Sequence, residues 1–193
     1  EARQPVLTVV GPSGSGKSSF LRAAVQAALG ASRCAVCRPA EVEDALSSCE
    51  PQDRDEGGLA FVLIVDQFEE VWTDPSLRER ADVLISRLTA WAAEEPGRVL
   101  VLGLRADFYG EAMLHPELAS SLQHHQLLVE PLDAEGMRSI IEEPAKRVGL
   151  VLEPGLVDVI LADVRSDAVG SVLPHLAHVL DAMWRSSDHH TLR

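Results

Sequence analysis

The sequence predicts an α/β fold, a parallel sheet sandwiched by helices and followed by a small all-helical subdomain. Two observations carry that expectation. Short apolar runs alternate with helical patterns over the first two-thirds of the chain, and from about Asp133 the pattern is helical only. With 193 residues and 46% hydrophobic content, the chain can build one well-cored domain with an appendage and is too aliphatic for disorder. The expected boundary separates a core, residues 1–131, from a helical part, residues 132–193.

The elements follow in order. "PVLTVV", Pro5 to Val10, is a short β-rich run that ends at a Gly-rich turn. Lys17 to Leu29 carries helix formers and is closed by Gly30. "RCAVCR" is a second short strand, with a helix from Glu41 to Ser47 and a polar loop from Glu50 to Gly58. "LAFVLIVD" is an almost unbroken apolar run, as expected of a strand covered on both faces. Pro75 to Glu94 spaces Leu77, Leu84, Leu88 and Trp91 as one helix with Pro75 in its first turn. "RVLVLGLR" and "HQLLVEPL" read as two further strands. Strands interleaved with helices imply right-handed crossovers and hence parallel pairing. Asp133 can then cap a helix carrying Met137, Ile140 and Ile141, disturbed at Pro144. Leu156, Val157, Ile160, Leu161 and Val164 mark a second helix, and Leu173, Leu176, Leu180 and Met183 a third.

Charge and composition exclude several classes. Seventeen basic against 30 acidic residues leave a formal net charge of −13, a field that repels nucleic-acid phosphates. No stretch clusters Arg or Lys, so direct nucleic-acid binding is not expected. No apolar run approaches the ~20 residues of a membrane helix, and no basic-then-apolar leader opens the chain. Glu1 in place of Met points to a fragment or a processed end. Cys34, Cys37 and Cys49 are too few for a disulfide scaffold. "CAVC" lacks the second pair that a structural zinc needs, so its thiols read as reduced core residues of a cytoplasmic protein. The paired histidines, His124/His125 and His189/His190, match no metal-ligand spacing.

The strongest chemical signal is "GPSGSGKS", Gly11 to Ser18, which fits G-x-x-x-x-G-K-[ST] between a strand and a helix. Glycines let backbone N–H groups curl around phosphates, and the following helix turns its positive end to the same anion. Gly11, Pro12, Ser13, Gly14, Ser15, Gly16, Lys17, Ser18 and Ser19 are therefore the expected nucleotide-binding set. Lys17 would reach the β- and γ-phosphates, and the Ser18 hydroxyl would ligate Mg²⁺. Asp66 ends "FVLIV" at the carboxyl edge of a buried strand, which suits a second Mg²⁺ ligand. Glu69 or Glu70 is near enough to activate a water, and spacing does not separate them. Arg105 ends "VLVLGL" at the same edge, where it can meet a γ-phosphate or pair with Asp107.

With that turn, "LIVDQFEE" and "LGLRADFYG" in hand, the chain resembles a STAND-type signal-transduction NTPase. The resemblance is to the novel STAND group, often fused to WD40 or other repeats in bacteria. It continues through "PLDAEGMRSIIEEPAKRVGLVLEPGLVDVIL" and "GSVLPHLAHVLDAMW", and so covers nearly the whole chain. It implies a P-loop NTPase of the ASCE/AAA-like kind with a helical lid. It also implies ATP/ADP and Mg²⁺ as ligands, Lys17 and Ser18 on phosphate and metal, and Asp66 as metal acid. Glu69 or Glu70 takes the place of the hydrolytic acid and Arg105 that of the sensor-like arginine. Pro174 is similar to a proline packed near adenine and ribose, although Leu173 and Pro174 are equally good packing residues. A winged-helix element would be expected beyond Arg193.

Members of that group use slow hydrolysis to reset an ATP-dependent switch that self-associates, with sensor repeats and a fused effector elsewhere in the protein. A P-loop kinase and an AAA+-like ATPase acting on another substrate are the alternatives. A kinase would want several lid arginines and an acceptor-binding acid, and a DNA-acting ATPase would want basic clusters. No guanine-reading NKxD element is present, which leans to adenine.

Overall fold

The computed structural model describes residues 5–25, 33–48, 61–166, 172–186 and 191–192. The end of the first helix with Gly30, Cys49, the Glu50–Gly58 loop and His189/His190 lie outside them. Two compact units divide the chain, Glu1–Pro12 with Gly16–Val129, and Glu130–Arg193 with the turn residues Ser13–Ser15.

In the first unit five apolar runs pair as one sheet: β1 (Val6–Gly11), β2 (Cys34–Cys37), β3 (Phe61–Val65), β4 (Arg98–Arg105) and β5 (Gln126–Leu128). The spatial order is β2-β3-β4-β1-β5 and every pairing is parallel. Register brings Gly11 opposite Arg105 and Val65 opposite Leu102, so the carboxyl ends of β1, β3 and β4 open on one edge. Side chains alternate between the two faces of the sheet. Phe61, Leu63 and Val65 join a core with Val42, Leu84, Ile85, Leu88 and Leu122. Val62 and Ile64 join a separate core with Val9, Leu21 and Val101. The sheet is therefore covered on both faces, which is why β3 carries no polar position.

The helices of the first unit differ from expectation in several places. The first is α1 (Lys17–Phe20), continuing in π-type turns over Leu21–Val25. After α2 (Val42–Ser48), one short helix, α3 (Glu70–Thr73), follows the acidic strand end. The helix expected from Pro75 to Glu94 is two, α4 (Pro75–Arg78) and α5 (Ala81–Glu94). Asp74 caps α4 by accepting from the Ser76 N–H at 2.8 Å, and Arg80 at φ −113° breaks the run before α5. Leu77 is consequently only half-buried, whereas Leu84, Leu88 and Trp91 are core. Two helices, α6 (Tyr109–Met113) and α7 (Pro116–His124), lead into β5. That strand covers only three residues of its apolar run and is exposed, being an edge with a single neighbour.

The second unit is built on α8 (Ala134–Val148), α9 (Leu156–Ser166) and α10 (Val172–Ser186). Met137, Ile141, Val157, Ile160, Leu161, Val164 and Leu176 form its core, as their spacing predicts, while Ile140 is 40% exposed. Asp133 caps α8 by accepting from the Gly136 N–H at 2.8 Å. Pro144 does not interrupt α8, because it lies on the solvent face. The unit is not purely helical: β6 (Val151–Leu152) and β7 (Thr191–Leu192) form a short parallel bridge. Among the described residues no helix is long and apolar enough to cross a membrane.

Candidate functional site

The chemistry-bearing residues of the core meet at the carboxyl edge of β1, β3 and β4. Gly14 and Gly16, at φ 71° and 89°, turn the chain from β1 into α1 through a region that side chains rarely occupy. Lys17 opens α1 and is buried, donating to the Gly11 and Pro12 carbonyls at 2.6 and 2.7 Å. Burial lowers its pKa and the Arg105 charge adds to this, while Glu69, Asp66 and Asp107 act the other way. Ser15 is buried, Ser18 half-buried, and Pro12, Ser13 and Ser19 are exposed.

Asp66, 3% exposed, leaves β3 beside this turn. Its Oδ1 accepts from Ser18 Oγ at 3.0 Å and from the Gln67 N–H at 2.9 Å. Its Oδ2 is buried without a hydrogen-bond partner, and the Arg22 guanidinium stands 4.0 Å away. Among the described residues, four buried side-chain polar atoms lack a partner: Ser15 Oγ, Asp66 Oδ2, Arg105 Nε and His125 Nδ1. Two of them, on Asp66 and Arg105, belong to this edge. Orphaned buried polar atoms are costly unless something else satisfies them. A hydroxyl and a carboxylate with a free oxygen, set side by side, are the hard oxygen donors that Mg²⁺ takes. Ser18 and Asp66 therefore fit that cation.

The two glutamates, inseparable by spacing, part in the structure. Glu69 is buried, and its Oε2 accepts from the Arg105 N–H at 3.2 Å. Burial pushes its carboxyl above the ordinary glutamate range, against its own and the Arg105 backbone N–H and the charges of Lys17 and Arg105. Glu70 starts α3, is half-buried, and accepts from Arg38 at 3.1 Å. Of the two partners its position offered, Arg105 meets Asp107: its guanidinium pairs with that carboxylate and lies 5.5 Å from the centre of the Phe108 ring, while its backbone N–H meets Glu69. Pro174 belongs to the second unit, exposed in the first turn of α10, with Leu173 half-buried beside it.

Three features of the site escaped the sequence reading. A Cβ on Gly103 in β4 would stand 2.8 Å from Leu21 Cδ1 and 3.1 Å from Asp66 Oδ1, so the bare backbone there makes room for the acid. Gln67 adopts φ 56°, which turns its N–H back onto Asp66. An aromatic chain runs from Phe68 through Trp72 to Phe108, at ring separations of 5.5 and 6.4 Å. Trp72 also donates to His115 Nε2 at 3.2 Å, and His115 Nδ1 faces Asp82 at 3.1 Å. Only the glycine had a signal, as a small residue inside an otherwise bulky strand.

Sheet order, glycine turn and flanking helices define a P-loop NTPase fold. Solved structures agree in fold. The Aeropyrum pernix Orc1 protein in complex with DNA matches with a TM-score of 0.66 at 19% identity, over 97% of this chain and 56% of that one. A DNA replication initiation factor matches with 0.63 at 15% identity, over 98% and 57%. The replication initiator DnaA, bound to AMPPCP and single-stranded DNA, matches with 0.61 at 18% identity, over 94% and 56%. The chain thus spans little more than half the length of these structures. No curated protein matches it. The chain belongs to the Novel STAND NTPase 1 family, whose model matches residues 1–193.

Proposed function

We propose that this chain is the nucleotide-responsive part of a regulatory switch, binding ATP or ADP on Gly11–Ser19 and hydrolysing ATP slowly. The observation that carries the reading is that two orphaned buried polar atoms, Asp66 Oδ2 and Arg105 Nε, belong to residues whose charges act on a buried Lys17. Each is a donor or acceptor that a polyanion with its metal would satisfy.

In this reading the turn offers backbone N–H groups to the phosphates, and Lys17 gives up its two carbonyl partners for phosphate oxygens. Ser18 and Asp66 would hold Mg²⁺, which supplies charge neutralisation of the β- and γ-phosphate oxygens when bound. Glu69 is the hydrolytic acid: its raised proton affinity suits a group that takes a proton from water, and its burial keeps it inside the site. The contact between Glu69 and the Arg105 N–H holds that carboxylate against the strand that also bears the γ-phosphate reader. Glu70, committed to Arg38, serves structure rather than proton transfer.

The second unit would act as the lid, with Pro174 toward adenine and ribose, and ATP would drive self-association of a longer protein carrying sensor repeats and an effector. The DNA in two of the solved relatives is a property of those proteins. The net charge of −13 argues against a nucleic-acid substrate here. The test is to denature the purified protein and identify released nucleotide by chromatography. Adenine nucleotide from wild type and none from Lys17→Ala is the expected result; guanine nucleotide, or none from wild type, would defeat the reading.

A further inference from the structure

Arg105 is held by its own chain. Its guanidinium pairs with the Asp107 carboxylate two residues on, and it lies over the face of Phe108. The short 3₁₀ turn Ala106–Phe108 sets this geometry, bringing the carboxylate back toward the end of β4. Meanwhile Arg105 Nε is buried and lacks a partner, so the group is anchored at one end and unsatisfied at the other. The Asp107 carboxyl is held below its ordinary range, first by the hydrogen bond from Arg105, then by its own backbone, with a smaller pull from the Lys17 charge. Its negative charge thus lies in the field of the phosphate-binding lysine.

A carboxylate in that place competes with a phosphate for the same fork of donors. A triphosphate whose terminal group engages Arg105 must first separate the pair, whereas a diphosphate leaves it intact. The cost falls on one nucleotide only. We infer that Asp107 is a positioning residue that parks Arg105 and thereby sets the ratio of diphosphate to triphosphate affinity. This inference rests on the reading above, in which Arg105 meets the γ-phosphate. The pair is partly exposed, at 38% for Arg105 and 55% for Asp107. Pairs of that kind are worth about a twofold to fivefold factor, not more.

Calorimetric titration of wild type, Asp107→Asn, Asp107→Ala, Arg105→Ala and the Arg105→Ala/Asp107→Asn double variant with Mg·ADP and Mg·AMPPCP tests it. Both Asp107 variants should shift the affinity ratio about twofold to fivefold toward the triphosphate analogue. In the Arg105→Ala background, Asp107→Asn should change both affinities equally and leave the ratio in place. An unchanged ratio in both Asp107 variants, or the same shift without Arg105, would overturn the inference. Wild type that binds neither nucleotide would instead remove the underlying reading, so the two failures are distinct. Circular dichroism of each variant before titration establishes that it is folded; a loss of fold in both Asp107 variants would itself contradict a surface latch.

Discussion

Replacing Gly103 by alanine should damage both the fold and the proposed Mg²⁺ site at Asp66, by an amount the local geometry sets. The added carbon falls 2.8 Å from Leu21 Cδ1 and 3.1 Å from Asp66 Oδ1. Leu21 is fully buried in the core shared by Val9, Val62, Ile64 and Val101, so it has no open space to enter. Asp66 Oδ1 is pinned by Ser18 and Gln67, so moving it loses two hydrogen bonds. Overpacking of this kind costs about 1–3 kcal/mol. For a chain of this size each kcal/mol lowers Tm by roughly 2–4 °C. Thermal unfolding followed by circular dichroism should therefore show a fall of about 2–12 °C. Mg²⁺-dependent ATP binding should weaken along with it. Leu21→Val shortens the clashing branch, so Gly103→Ala/Leu21→Val should lose less stability than the two single changes sum to. It should still bind metal poorly, because the Asp66 contact remains. Wild-type Tm and wild-type metal dependence in Gly103→Ala would refute the reasoning.

Three further expectations follow from the same geometry. Glu69→Gln should slow phosphate release by about a hundredfold or more while nucleotide affinity persists, and Glu70→Gln should stay near wild type in a single-turnover assay. Because burial raises the Glu69 pKa in the folded state, the native protein holds that proton more tightly than the unfolded chain. Its contribution to stability is therefore lost as pH climbs from the ordinary glutamate range through the raised value. Urea unfolding should accordingly find Glu69→Gln more stable than wild type at neutral pH, with the gain fading toward pH 4. Pro144 lies within α8 and gives no N–H to the preceding turn, so Pro144→Ala should stabilise the second unit by about 1–3 kcal/mol, read from amide exchange in α8.

Much of this was legible in the sequence because the decisive signals are local. Apolar runs at Phe61–Val65 and Val99–Leu104 announce strands covered on both faces, and the glycine turn announces its own backbone conformation. Helix faces around Met137, Val157 and Leu176 repeat at the period that the packing uses. What was not legible depends on strands brought together from distant stretches. Glu69 and Glu70 are adjacent in sequence and differ only because β4 presents the Arg105 N–H to one and Arg38 reaches the other. Gly103 matters through Asp66 on a neighbouring strand, which no spacing reveals. The long helix expected after Pro75 is interrupted at Arg80, whose φ of −113° lies outside the helical region and separates the Asp74-capped turn from α5. Pro144 misled in the opposite direction, since solvent exposure lets α8 run through it.

The central claim is that the glycine turn after β1, with Lys17, binds the phosphates of an adenine nucleotide. Isothermal titration of nucleotide-free protein with Mg·ATP and Mg·GTP, against Lys17→Ala, tests it most directly. The account predicts saturable ATP binding that weakens about tenfold to a hundredfold in Lys17→Ala, as expected for loss of a charge-assisted phosphate contact. Equal affinity in Lys17→Ala, or binding of GTP in preference to ATP, would contradict it.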